Sequence, residues 1–172
     1  MKLNEYAGYD ATGLAEIIRQ KQVTPTEVLN CAISAIEKLN PELNAISYRT
    51  YDYARNQIAN EFEITAPFAG VPFFLKDIDA MAKGIPASGG SRLMAGYTTD
   101  TDTNFVKRLK AAGFIIVATT TTPEYCFDCT TESVVHGATR NPWNLEHIAG
   151  GSIREPASCF AAVGLTPSRF TT

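Results

Sequence analysis

The chain has 172 residues, 45% of them hydrophobic and 19% charged, with a formal net charge of −3. That is the make-up of one ordinary globular domain with enough chain to bury a core. It gives no electrostatic case for nucleic acid, and no run of Lys or Arg supplies one. No apolar stretch approaches the length of a membrane span, and Met1-Lys2-Leu3-Asn4-Glu5-Tyr6 lacks an apolar signal region. A cytoplasmic protein is the expectation.

The first third reads as helical. Asp10 to Lys21 places Leu14, Ile17 and Ile18 on one face. Thr24-Pro25-Thr26-Glu27 is a capping box with Pro at the first helical position, where a missing N–H costs nothing. Val28, Leu29, Ala32, Ile33, Ile36 and Leu39 follow at helical spacing, and Asn40-Pro41 is expected to stop the helix. Thr50 to Glu61 reads as a third helix. This region is expected to form a packed helical layer without chemical residues.

The pattern changes near Pro67. Gly70 to Leu75 is a short apolar run ending in Lys76-Asp77, which reads as a buried strand with a polar end. Ala87-Ser88-Gly89-Gly90-Ser91 is a loop. Thr103 to Ala112 is an amphipathic helix with Gly113 as its C-cap. Phe114 to Ala118 is a second buried strand. A strand, a helical crossover and a strand predict a parallel unit and an α/β fold. Beyond Thr119 the chain is rich in Thr, Gly, Pro and Asn, and long irregular segments of that kind often carry function.

Four cysteines are present: Cys31, Cys126, Cys129 and Cys159. Reduced thiols are expected without a signal peptide. Cys126-Phe127-Asp128-Cys129 is formally a C-x-x-C. It has neither a thioredoxin-like context nor a second ligand pair, so no metal site is assigned to it.

Two residues are candidates for chemistry on their own merits. Lys76 leaves an apolar layer, where low dielectric favours the uncharged amine that a base needs. Its plain alternative is a strand-end lysine paired with Asp77. Ser152 follows Gly150-Gly151, and glycines permit the convergent N–H groups of an oxyanion hole beside a serine. Its plain alternative is an ordinary loop tripeptide. His136 and His147 are the only histidines, and no nucleophile-elbow pattern supports a Ser-His-Asp triad. Arg154 and Glu155 read as a local ion pair.

The ordered set says more than its parts. It runs Gly70 to Asp77, then Thr122-Pro123-Glu124-Tyr125, then Gly137 to Asn144 (GATRNPWN). Gly150 to Ser158 (GGSIREPAS) and Gly164 to Arg169 follow. In sequence and order these segments resemble the hallmark segments of the amidase signature family, and the resemblance covers nearly the whole chain. It implies an α/β fold: an N-terminal helical layer followed by part of the mixed or parallel sheet of that family. Residues 1–172 would form a single, incomplete domain, with 1–66 helical and 67–172 carrying the motifs.

The resemblance also implies hydrolysis of a carboxamide C–N bond by a Ser–cis-Ser–Lys triad. Lys76 falls on the base and Ser152 on the nucleophile of the G-G-S-I-R segment. Gly150, Gly151 and Ile153 fall on the oxyanion and substrate loop, and Arg154 and Asp77 on supporting positions. An acyl-enzyme forms and water releases the acid. No metal or other cofactor is implied. The implied partner is a small-molecule amide, with neither nucleic acid nor membrane.

One departure bears on the chemistry. The family has two G-G-S segments separated by a serine- and glycine-rich stretch, whereas this chain has one after Asn144. Ser152 therefore aligns with both family serines, and the relay serine has no separate counterpart. The family also continues well beyond the counterpart of Arg169. Impaired turnover is expected, with a catalytically inactive fragment or one chain of a split enzyme as the alternative. Exposed sheet edges also predict self-association or a complementary chain. Thr119 and Thr121 stand where the family usually has Lys and Asn.

Overall fold

The computed structural model of the chain describes residues 1–60 and 63–150. Helical periodicity builds its first layer. After a short turn of helix α1 (Leu3–Tyr6), helix α2 (Ala11–Arg19) is capped by Asp10, whose carboxylate accepts from the Gly13 N–H at 2.7 Å. Its inner face buries Leu14, Ala15, Ile17 and Ile18. Helix α3 (Pro25–Leu43) opens with the expected capping box. The Thr24 hydroxyl accepts from the Glu27 N–H, and Glu27 reaches back to the Thr24 N–H at 2.8 Å.

The expected stop at Asn40-Pro41 is corrected by the structure, since Pro41 lies inside α3. Proline removes a single N–H in a last turn that is about to end anyway. The true cap is Asn44, in the left-handed region at φ 50°, whose N–H bonds the Asn40 carbonyl at 2.8 Å. Asn40 then accepts from the N–H groups of Ala45 and Ile46 and so feeds the chain into strand β1 (Ile46–Arg49). The sequence reading had not assigned that strand. Helix α4 (Tyr51–Asn60) follows within the expected range.

Strands β2 (Pro72–Lys76) and β3 (Ile115–Thr120) pair in parallel, and helix α5 (Asn104–Ala111) lies in the crossover between them. β1 adds to the other side of β3 in the antiparallel sense, giving a mixed sheet of order β1-β3-β2. Every residue of β3 is buried, as a central strand covered on both faces requires. β3 runs two residues past the expected end at Ala118. Thr119 and Thr120 can stay in the sheet because their hydroxyls are satisfied, by Ser47 Oγ at 2.7 Å and by the Leu75 carbonyl at 3.4 Å.

The turn from α5 into β3 needs Gly113. Its φ is +93°, and a Cβ there would sit 2.7 Å from the Ala69 backbone. The main core joins α2, α3 and the sheet through Leu14, Leu29, Ile36, Val71, Phe74 and Val117. A second cluster of Leu75, Ile85, Val106 and Ile116 lies under α5. Two small hairpins follow the sheet: β4 (Glu132–Ser133) with β5 (Gly137–Ala138), and β6 (Arg140–Asn141) with β7 (Asn144–Ile148). The helical layer and the parallel unit predicted from sequence are both present.

Candidate active site

The site is built at the end of β2 that leaves the sheet. Phe74 and Leu75 are buried, Lys76 is half-buried beside Thr120 of β3, and Asp77 is fully buried. Asp77 is held at every polar atom. Its N–H donates to the Thr120 carbonyl at 3.1 Å, and its carbonyl accepts from the Gly89 N–H at 2.8 Å. Oδ1 accepts from the Ser88 N–H at 2.8 Å. Oδ2 accepts a short hydrogen bond from the Ser88 hydroxyl and lies 3.2 Å from His136 Nε2. The sequence reading offered Asp77 to Lys76 as an ion-pair partner. The structure instead gives its carboxylate to Ser88 and His136.

These bonds lash the glycine loop 87–91 to the strand end. Gly90 has φ +68°, and a Cβ there would meet the Thr122 carbonyl oxygen at 2.5 Å, so the backbone of the loop presses on the segment after β3. That contact is bonded as well. The Tyr125 N–H donates to the Gly89 carbonyl at 2.8 Å, and the Ser91 hydroxyl donates to Glu124 at 2.6 Å. Tyr125 and Cys126 both adopt positive φ, 49° and 60°, in the single turn Glu124–Cys126. Two adjacent non-glycine residues in that region are strained.

A third segment closes on the same place. The hydroxyls of Thr121 and Thr139 share a hydrogen bond of 2.7 Å, and Thr139 donates to the Asn44 carbonyl at 2.8 Å. Thr131 donates to the Gly150 carbonyl at 3.0 Å, and Gly150 has φ +87°. Of the serine-loop residues named from sequence, Gly150 is therefore placed. Gly151, Ser152, Ile153 and Arg154 lie outside the described residues.

An open cavity of about 390 Å³ lies beside the turn at Tyr125, lined among others by Glu124, Phe127, Asp128, Glu132 and Val134. Lys76 and Gly150 are not in its wall. The cavity touches the site through Glu124, which holds Ser91, and through Ser133, which accepts from the His136 N–H at 3.2 Å.

Cys31, Cys126 and Cys129 are free thiols. Burial, the largest effect, pushes the Cys31 thiol above its ordinary value. Cys126 Sγ sits 3.0 Å from the Thr122 hydroxyl. Among the described residues no group of His, Cys, Asp and Glu is arranged to hold a metal ion. No described helix is long and apolar enough to cross a membrane.

Sequence reasoning gave no part to Ser88 or His136. Ser88 is one residue of a loop in the sequence reading, and His136 is weighed there only for a Ser-His-Asp triad. No spacing rule links a histidine to an aspartate 59 residues earlier.

The amidase family model matches residues 27–152. The chain belongs to the amidase signature family. It is 37% identical to the 6-aminohexanoate-cyclic-dimer hydrolase of Paenarthrobacter ureafaciens over 187 residues, which covers 93% of this chain and 37% of that protein. It is 33% identical to the putative amidase AmiC of Mycobacterium bovis, covering 93% of this chain and 39% of AmiC. Among solved structures, 6-aminohexanoate cyclic dimer hydrolase complexed with substrate superimposes with a TM-score of 0.86 and 38% identity. That match takes in 94% of this chain and 33% of the other. A bacterial aryl acylamidase gives a TM-score of 0.81 at 31% identity. The chain thus spans between a third and two fifths of the length of these relatives. The 187-residue match to the hydrolase is longer than this 172-residue chain, so the relative has residues within it that have no counterpart here.

Proposed function

We propose that this chain carries the base and the nucleophile of an enzyme that hydrolyses the C–N bond of a small-molecule carboxamide. Ser152 Oγ attacks the carbonyl carbon, and Lys76 takes the hydroxyl proton and passes it to the leaving amine. Water then attacks the ester, giving the acid and restoring the serine. Gly150, Gly151 and Ile153 are assigned to the loop that stabilises the developing oxyanion. Arg154 and Asp77 support this arrangement, Asp77 by fixing the strand end from which Lys76 projects.

One observation carries the reading. Lys76 leaves the sheet at a point where the glycine loop 87–91 is bonded both to the Thr122–Cys126 turn and, through His136, to the chain that runs on to Gly150. Relatives named as hydrolases and amidases share this part of the fold. As part of the same proposal, residues 1–66 act as a helical support and 67–172 as the motif-bearing part of one domain in a cytoplasmic enzyme.

A second reading is favoured by the additional residues that the 6-aminohexanoate-cyclic-dimer hydrolase has within the match. In it, this chain turns over only with a complementary chain, or associates with itself without turnover. The exposed Trp143, Leu145 and Ile148 of the last hairpin would suit such contacts.

The deciding experiment follows acid and amine release from a panel of simple anilides and alkyl amides. Slow release that falls by about a thousandfold or more in both Lys76→Ala and Ser152→Ala is expected. Release that survives either substitution overturns the assignment. Release seen only after adding a chain that supplies a second G-G-S segment selects the split-enzyme reading.

A further inference from the structure

The proposed reaction uses no histidine, yet one of the two histidines lies half-buried against the Lys76–Asp77 end of β2. His136 sits in the β4–β5 turn with its side chain 11% exposed. Its ring meets Tyr48 edge-on, with centroids 5.4 Å apart. Its backbone carbonyl accepts from the Asn44 side chain at 2.7 Å. Nε2 lies 2.9 Å from Ser88 Oγ and 3.2 Å from Asp77 Oδ2.

The protons in this cluster can be assigned. A carboxylate only accepts, so Nε2 carries the hydrogen. The single hydroxyl proton of Ser88 goes to Asp77, and its oxygen accepts from the Gly90 N–H at 3.2 Å and shares the His136 proton. Asp77 then receives three donors: the Ser88 N–H, the Ser88 O–H and the His136 N–H. A buried carboxylate needs such donors to stay folded without a large desolvation cost.

This is not a nucleophile triad. In a triad the two ring nitrogens face different partners, whereas here one nitrogen faces both Asp77 and Ser88. Ser88 is also fully buried, so no substrate reaches its hydroxyl. What the cluster does is join three segments: the Lys76 end of β2, the glycine loop 87–91, and the turn from which the chain runs to Gly150.

We propose that His136 is a positioning residue, its Nε2–H clamping Asp77 and Ser88 so that Lys76 and the segment leading to Ser152 are held in one fixed relation. The proposal rests on the reading of Lys76 and Ser152 given above, and its test is separable from theirs.

The test compares His136→Phe, which keeps a ring against Tyr48 but has no donor, with His136→Gln, whose amide nitrogen can take the place of Nε2. Backbone amide exchange is followed in the full chain. His136→Phe is expected to speed exchange of the Ser88 and Gly89 amides about tenfold or more, leaving Ile116 and Val117 within about twofold. His136→Gln is expected to restore most of the protection. Where turnover is measured, kcat falls about tenfold in His136→Phe while KM stays within about twofold.

Unchanged protection at Ser88 and Gly89 overturns the proposal, as does equal loss of protection in β3. The unsubstituted chain gives an independent readout by nitrogen NMR. A slowly exchanging Nε2 proton on His136 is expected, and a bare Nε2 with the proton on Nδ1 overturns the clamp even if no variant folds. A chain that shows this exchange pattern but no hydrolysis sinks the proposed function alone. Hydrolysis that needs Lys76 and Ser152 but is indifferent to His136→Phe sinks the clamp alone.

Discussion

The chain before Asp77 and the chain after it are stabilised by different physics. Before Asp77, the buried polar residues among those described are Thr50 and Gln57, and the rest of the interior is apolar apart from the Tyr6 hydroxyl and the Cys31 thiol. From Asp77 onward the interior takes in Asp77, Ser88, Ser91, Thr119 to Thr122, Thr131, Ser133 and Thr139. The first part is a helical layer held by non-directional burial of Leu, Ile, Val and Ala, which tolerates small shifts. The second has the apolar cluster under α5 as well, and adds segments held by hydroxyls and one buried carboxylate, each needing a specific partner at a specific distance. A scaffold needs only the former, whereas tying the Lys76 strand end to the glycine loop and the β4–β5 turn needs the latter.

The largest stability effect is expected where the apolar part is densest. Leu29 of α3 is fully buried in the main core. Leu29→Ala removes that side chain and leaves a cavity, for an expected loss of about 2–5 kcal/mol. Urea unfolding should show a lower midpoint with an unchanged slope. The loss should not vary between neutral and mildly acid pH, because no titrating group is touched. A cost below about 1 kcal/mol would mean that the helical layer is not part of the cooperative core.

The polar part should answer to pH instead. Asp102 accepts from Lys110 Nζ at 2.8 Å and from the Lys83 N–H at 2.7 Å, and Lys110 also lies 5.2 Å from the Tyr53 ring centroid. Burial tends to raise the Asp102 pKa, but the hydrogen bonds from Lys110 and the Lys83 N–H outweigh it and hold the pKa below the ordinary 3.8. Burial likewise opposes the charge on Lys110, but hydrogen bonds to Asp102 and Tyr53 raise its pKa above the ordinary value.

A depressed carboxylate pKa gives stability that is present above the unfolded value and lost as pH falls through the folded one. The raised lysine pKa gives stability that is present below its unfolded value and lost only as pH rises through the folded one. Asp102→Asn should therefore cost about 1–3 kcal/mol at neutral pH. That cost should begin to shrink as the pH falls below the ordinary 3.8, where the unfolded carboxylate protonates, and vanish as the pH passes through the lower pKa of the folded Asp102. Denaturant midpoints of both proteins at neutral and acid pH check this. A gap that is constant across that range would show that the pair contributes through packing alone.

The same contrast decides what the sequence made legible. Leu14, Ile17 and Ile18, then Val28 to Leu39, announce their helices because burial on one face leaves a period in the chain. The runs at Phe73-Phe74-Leu75 and Ile115-Ile116-Val117 announce their strands differently, as short unbroken apolar stretches, because β3 is covered on both faces. Ile46-Ser47-Tyr48-Arg49 carries no such mark, because β1 is an edge strand whose burial declines along its length. It becomes a strand through pairing with β3, which is a tertiary effect. Asp77, Ser88 and His136 were illegible as a group for a related reason. A hydrogen bond between side chains leaves no periodicity, and the bends that bring these three together lie in loops. Lys76 was legible through its motif and its place at a strand end, and Gly150 through its place beside the serine.

The smallest effect falls back on the apolar side, at the polar cap that starts α3. The Thr24 hydroxyl accepts from the Glu27 N–H at 3.2 Å and donates to the Glu27 carboxylate at 2.8 Å, while the Thr24 N–H donates to the same carboxylate. The Thr24 N–H, and then its hydroxyl, hold the Glu27 pKa below its ordinary value. Thr24→Ala removes the acceptor for one free N–H of the first turn and should cost about 1 kcal/mol. It leaves the Thr24 N–H, the larger cause of the Glu27 shift, in place. Because that shift is a depression, its stabilising share is present above the unfolded pKa and lost as pH falls through the folded one. The Thr24→Ala penalty should therefore change only slightly on acidification, in contrast to Asp102→Asn. Thermal or urea unfolding of the two variants side by side tests the division between the regions. If the Thr24 penalty collapses in acid as steeply as the Asp102 penalty, the helical layer depends on titrating groups as much as the loops do, and the division fails.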